Sequence, residues 1–86
     1  MNKKYVLRNV DSGATFSCVI DENRKIEDQL EEYVGVRKGG GLAIRMREDG
    51  VELMDYFHNS SAAMFKILSV EDTDLAAPMK WIEEKL

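Results

Sequence analysis

Residues 4–10 alternate in polarity, with Val6 and Val10 on one side and Tyr5 and Leu7 on the other. Residues 14–20 alternate more cleanly: Phe16, Cys18 and Ile20 share one face, while Thr15, Ser17 and Val19 share the opposite one. A period of two marks strands with one face turned to a core. Between the two runs stands Asp11-Ser12-Gly13. There Asp can bond its own backbone and Gly supplies a positive φ, so the pair reads as a β-hairpin.

The period then changes. Ile26, Leu30, Tyr33 and Val34 recur at i, i+4, i+7 and i+8, one face of a helix. Arg24, Lys25, Glu27, Asp28, Glu31 and Glu32 fill the solvent side. Asp21 or Asn23 is placed to cap the free N–H groups at its start, and Gly35 to end it in a left-handed conformation.

Arg37-Lys38-Gly39-Gly40-Gly41 reads as a loop, because three successive glycines lose too much chain entropy inside a regular element. Leu42, Ile44 and Met46 then alternate with Ala43, Arg45 and Arg47, a half-buried strand. Asp49-Gly50 is a type I′ hairpin signal. Val51 to Phe57 continues as a strand with Leu53 and Phe57 inward, interrupted by Asp55. Asn59-Ser60-Ser61 is a turn, and Ala62 to Val70 a further strand. Glu71-Asp72-Thr73-Asp74 suits the positive end of a helix dipole. Leu75, Met79, Ile82 and Leu86 follow at helical spacing, with Pro78 within the first turn or so. The expected fold is α+β: an antiparallel sheet in the order ββ-α-βββ-α, helices packed on one face, and an outer sheet face carrying Thr15, Ser17, Arg45 and Arg47.

Composition narrows this further. Eighty-six residues suit one domain, 1–86, with room for one core and little for an enclosed active-site cavity. Hydrophobic residues at 44% and charged residues at 33% are globular values. Cys18 is the single cysteine, so the chain holds no internal disulfide, CxxC motif or zinc knuckle, and a reducing compartment is expected. Met1-Asn2-Lys3-Lys4 resembles the start of a signal peptide, but only Tyr5-Val6-Leu7 is apolar before Arg8. The longest apolar run is Ala62 to Phe65, far short of the about 20 residues of a membrane helix. A cytoplasmic location outside any membrane is the expectation.

Catalytic chemistry finds little purchase. Asp55, His58, Ser60 and Ser61 are the residue types of a hydrolase triad, yet no GxSxG elbow accompanies them. Cys18 lies mid-strand on an apolar face, where a thiolate is disfavoured. One His and one Cys make no standard zinc site, and the acidic cluster at 71–74 lacks the EF-hand pattern. No cofactor is implied.

Charge is the more informative property. Residues 1–47 carry a net +2 and residues 48–86 a net −6, giving −4 overall. The leading expectation is therefore a small, acidic, non-enzymatic protein-binding domain. It would act as an inhibitor or immunity-type antagonist that occupies the basic surface of a larger nucleic-acid-handling enzyme, as some phage-encoded proteins do. Glu48, Asp49, Glu52, Asp55, Glu71, Asp72 and Asp74 would supply the field, and Trp81, off the apolar stripe of its helix, an anchor. The alternative uses the opposite charge. Arg37, Lys38, Gly39, Gly40, Gly41, Arg45 and Arg47 combine close backbone approach with guanidinium clamps, which suits a phosphate or nucleotide held between subunits of a homo-oligomer. The segment is neither GxxxxGK[ST] nor GxGxxG, and an acidic domain is a poor electrostatic binder of nucleic acid itself.

Overall fold

The computed structural model describes residues 1–36 and 39–83. Arg37, Lys38, residues 84–86 and the side chains of 79 and 81–83 lie outside the described residues, and with them the expectations placed on Arg37, Lys38, Leu86 and the Trp81 side chain. The elements in chain order are β1 (Asn2–Asn9), β2 (Thr15–Ile20), α1 (Ile26–Val34), β3 (Leu42–Met46), β4 (Gly50–Asp55), β5 (Ser60–Thr73) and β6 (Met79–Glu83). The strands form one antiparallel sheet in the order β3-β4-β5-β1-β2-β6.

β5 organises this sheet. Its 14 residues pair with β4 through Ser60–Lys66 and with β1 through Phe65–Thr73, so the two registers overlap at Phe65 and Lys66. Bonds from Val10 N–H to Met64 O and from Ile67 N–H to Asp49 O extend the overlap by one residue each way. Register shifts at Val6/Leu7 and at Leu53/Met54 bend the strand as bulges do. At the crossing point Phe65 meets Phe16 edge-to-face, centroids 5.7 Å apart at 87°. Around this pair lie Leu7, Cys18, Ile20, Ile44 and Val51 from four strands, with Leu30 of α1 laid over them. Gly50 enters β4 opposite Lys66, where a β-carbon would stand 2.5 Å from the Phe65 carbonyl oxygen. Only glycine lets β4 and β5 close at this point.

The hairpin from β1 to β2 forms as the alternation indicates, with Gly13 at φ 75°. The local bonding is made by Asn9 rather than Asp11: Asn9 Oδ1 accepts from the Asp11 and Ser12 N–H groups at 2.9 and 3.1 Å. α1 also forms, ending at Gly35 with φ 78°, whose N–H donates to Glu32 O while that of Val36 donates to Glu31 O. Its start is not held by Asp21 or Asn23 as caps. Asp21 Oδ1 instead accepts from Asn23 N–H, and the buried Gln29, 2% exposed, closes the connection. Gln29 Oε1 accepts from Asp21 N–H at 2.7 Å, and Nε2 faces the carbonyls of Asp21, Arg24 and Lys25 at 2.9–3.3 Å.

The expected order ββ-α-βββ-α fails at its last element. β5 runs on through Glu71, Asp72 and Thr73, opposite Lys4, Lys3 and Asn2, and the 79–83 segment is a strand against β2. Helical spacing of four apolar residues is weak evidence over so short a stretch, and a free backbone edge on β2 outweighs it. Lys80 fastens the new strand: its Nζ donates to the Tyr33 carbonyl at the end of α1 and stands 5.1 Å over the Phe16 ring. That cation answers the negative end of a helix whose own last turn has no basic residue. Thus, among the described residues, one helix rather than two covers the sheet. Ser17, expected outside, is 0% exposed, because β2 is buried on both faces.

Gln29→Ala is expected to lower stability by about 2–3 kcal/mol, because it strips partners from buried backbone groups of the β2–α1 connection. Urea unfolding at unchanged slope measures this; a loss below about 0.5 kcal/mol would mean that the connection is held some other way.

Candidate functional site

The turn between β4 and β5 is the most exposed concentration of aromatic surface among the described residues. β4 ends at Asp55, one residue before Tyr56, so Phe57 is not inward in a strand as its spacing implies. Tyr56 and Phe57 are 63% and 76% exposed, and His58 beside them is also exposed. Such a display is unusual where neighbouring apolar side chains are buried.

The turn is nevertheless tied down at several points. Asp55 Oδ1 accepts from the N–H groups of Phe57 and His58 at 3.0 and 3.2 Å, an Asx-type turn. Asp55 Oδ2 lies 2.7 Å from His58 Nδ1. These bonds hold the Asp55 carboxyl below its ordinary value, with the His58 side chain the largest cause. A carboxylate only accepts, so Nδ1 carries the proton and Nε2 is left to the outside. Asn59 completes the reversal at φ 49°. Tyr56 N–H donates to Gly41 O at 2.8 Å, and the Phe57 ring occupies the space where a Gly41 β-carbon would sit, 2.3 Å away. One face of Phe57 is thereby seated on the loop before β3.

The acidic residues do not gather into one face. Glu48 and Asp49 are the exposed central pair of the β3–β4 turn, closed by Arg47 N–H to Gly50 O at 2.8 Å. Their φ values are not left-handed, so this is not the type I′ turn expected of Asp49-Gly50. Glu52, 6% exposed, is engaged by Arg47 through Nε at 3.0 Å and Nη2 at 2.6 Å. With a bond from Ser61, that lowers its carboxyl below the ordinary range. Asp72 is paired with Lys3 near the far end of β5, beside Glu71 and before Asp74. From Ser60, the partner of Asp55, to Asp72 is about 40 Å of strand.

The basic segment is divided too. Gly39, Gly40 and Gly41 precede β3, with Gly39 and Gly41 at φ 81° and 82°, and Arg47 follows it, about 20 Å from Gly41 along the strand. Arg45 lies on the strand opposite Glu52. A groove of about 410 Å³ does open beside the glycines, between α1 and the start of β3, but among the described residues its walls set Asp28, Glu31 and Glu32 against one cation, Arg24, which is paired with Glu32. Carboxylates so placed disfavour an anion there.

For catalysis, the structure joins Asp55 to His58 but gives His58 no bond to Ser60 or Ser61, and Ser61 is turned to Glu52. Cys18 is 0% exposed and its thiol is pushed up to about 11 by burial, with Lys80 acting in the opposite direction. Among the described residues no three metal-ligating side chains converge, and no helix is long and apolar enough to cross a membrane. Sequence reasoning passed over the aromatic turn. Its signal was the Asp55 that interrupts the strand pattern and the Asn59 four residues on, two turn formers bracketing Tyr56-Phe57-His58. No protein-family model matches the chain, and neither curated proteins nor solved structures give a match.

Three carboxyls, those of Glu52, Asp55 and Asp72, sit below their ordinary values of 4.5, 3.8 and 3.8. A group whose pKa falls on folding stabilises the fold above its unfolded value, and that stabilisation is lost as pH drops through the folded value. Stability is therefore expected to hold steady down to about pH 5 and to decline below about pH 4.5. Glu52→Gln is expected to make that decline shallower. Urea midpoints across this range check it, and an identical decline in the variant would contradict the assignment.

Proposed function

We propose that this chain is a non-enzymatic protein-binding domain whose contact is centred on Tyr56 and Phe57. The observation that carries the reading is the combination of strong exposure with fixed geometry in the β4–β5 turn. Aromatic side chains that lose little freedom on docking are the usual anchors of protein interfaces. A turn whose backbone is held by Asp55 and Gly41, with the Phe57 ring seated on Gly41, meets that description, whereas a mobile turn would lose ordering entropy at every encounter.

The net charge of −4 supports a basic partner surface, of the kind that nucleic-acid-handling enzymes present. An inhibitor or immunity-type antagonist of such an enzyme is the biological role we favour. The exposed Glu48 and Asp49 would act as steering charges, which set the rate of encounter more than its strength. The second reading, a phosphate or nucleotide held by the 37–47 segment, draws no support from the acidic groove or from Arg47, which is engaged with Glu52.

The test is affinity capture from the native host with the tagged wild-type chain and with Tyr56→Ser/Phe57→Ser, followed by mass spectrometry. Both side chains are exposed, so the double variant should fold, which circular dichroism verifies. A stoichiometric basic protein held by the wild type, lost from the variant and weakened by salt is the expected result. A partner held equally by the folded variant, or a homo-oligomer carrying a phosphate compound, would overturn the reading.

A further inference from the structure

We infer that the free edge of β3 receives an extended segment of the partner as an additional strand, with a basic side chain of that segment seated in the groove beside α1. This deepens the protein-binding reading and rests on it.

Arg47 N–H bonds Gly50 O and Tyr56 N–H bonds Gly41 O, which fixes the ladder between β3 and β4 at both ends. Bonded and non-bonded pairs alternate in an antiparallel ladder. With the register Leu42↔Asp55 to Met46↔Val51, the residues bonded to β4 are Ala43 and Arg45. The N–H and C=O groups of Leu42, Ile44 and Met46 therefore face away from β4, and β3 is the outermost strand on that side. Such a row is a template for another chain. Natural edges are blunted by charge, proline, a bulge or a covering helix. α1 packs against β3, but among the described residues no group of it bonds the outward N–H and C=O groups of the strand. β3 has no proline or register shift against β4, and Arg45 is its single charged residue.

The surroundings leave room and set the chemistry. Gly39 has nothing within 4 Å of where a β-carbon would be, so backbone can approach the start of the edge. The groove of about 410 Å³ runs between α1 and this start, with Leu42 on one wall and Asp28, Glu31 and Glu32 on the other. Arg24 engages Glu32 at 3.1 Å, and among the described residues Asp28 and Glu31 have no ion-pair partner. A lysine or arginine on an incoming strand fits that wall. A second copy of this chain fits it badly, since two-fold antiparallel pairing of β3 with β3 sets Leu42 opposite Met46 and brings an apolar side chain, not a cation, to that wall. The aromatic turn adjoins the same end of the strand, through Gly41 and the Leu42↔Asp55 pair. One partner can touch both.

The test uses a blocked peptide of alternating lysine and valine, with a glutamate–valine peptide as the control. On binding the first, the amides of Leu42, Ile44 and Met46 are expected to gain at least about tenfold protection from hydrogen exchange, and the second should not bind. Met46→Pro removes an outward N–H without touching the β4 ladder and should weaken binding about tenfold. Should that variant fail to fold, Asp28→Lys/Glu31→Lys, on the exposed side of α1, carries the test and should give a similar loss that fades in high salt. Binding without new protection at the edge, binding undiminished in the folded variants, or dimerisation of the free chain through β3 would each overturn the inference. If the edge fails while Tyr56→Ser/Phe57→Ser still abolishes capture of the host partner, the strand-addition inference falls and the protein-binding reading stands.

Discussion

Phe65 and Lys66 stand where the two pairings of β5 overlap, in register with β1 on one side and β4 on the other, and the rest of the molecule depends on that crossing. One half of β5 belongs to β4 and the other to β1, so the sheet is two staggered halves joined by a single strand. The Phe16–Phe65 contact fills the junction, and such an edge-to-face pair adds about 1 kcal/mol beyond the area it buries. The absence of a side chain at Gly50 lets the strands meet there. Remove this arrangement and the first half of β5, with β4 and β3, has no register against the second.

The stagger also shapes the surface. β1 ends opposite Phe65 and Val10 N–H still donates to Met64 O, so the first four residues of β5 project past it with β4 alongside. The β4–β5 turn is thus carried at the end of an extension rather than packed under the core. Its aromatic rings are exposed for that reason, while Asp55 and Gly41 fix the backbone that carries them and Gly41 seats the Phe57 ring. α1 reaches the same region from the other side, where it leaves a groove along β3. The surface most suited to a partner is a by-product of the way the core closes.

Much of this was legible in the chain. The clean alternation of Phe16, Cys18 and Ile20, the stripe of Ile26, Leu30, Tyr33 and Val34, and Gly35 as a helix stop all specify local structure through short-range physics. The last element was not legible because it is decided at long range. β6 exists since β2 has an edge to satisfy and Lys80 finds both the Phe16 ring and the end of α1. Lys3-Lys4 facing Glu71-Asp72 would have argued for a longer β5, but cross-strand charge is readable only once the register is known. The same holds for Glu52, offered by sequence as a steering carboxylate and found nearly buried against Arg47. Composition located the excess of negative charge, but not which carboxylates are already occupied.

The central claim is that Tyr56 and Phe57 are presented in a fixed geometry before any partner arrives. Backbone order parameters from nuclear relaxation of the free protein test it most directly. Values of about 0.85 at Tyr56, Phe57 and His58, equal to those of β4 and β5, are the result expected of a turn held by Asp55 and Gly41. Values below about 0.6 at these three residues, with the strands rigid, would mean that the turn is not preformed, and the protein-contact reading would lose the observation it stands on.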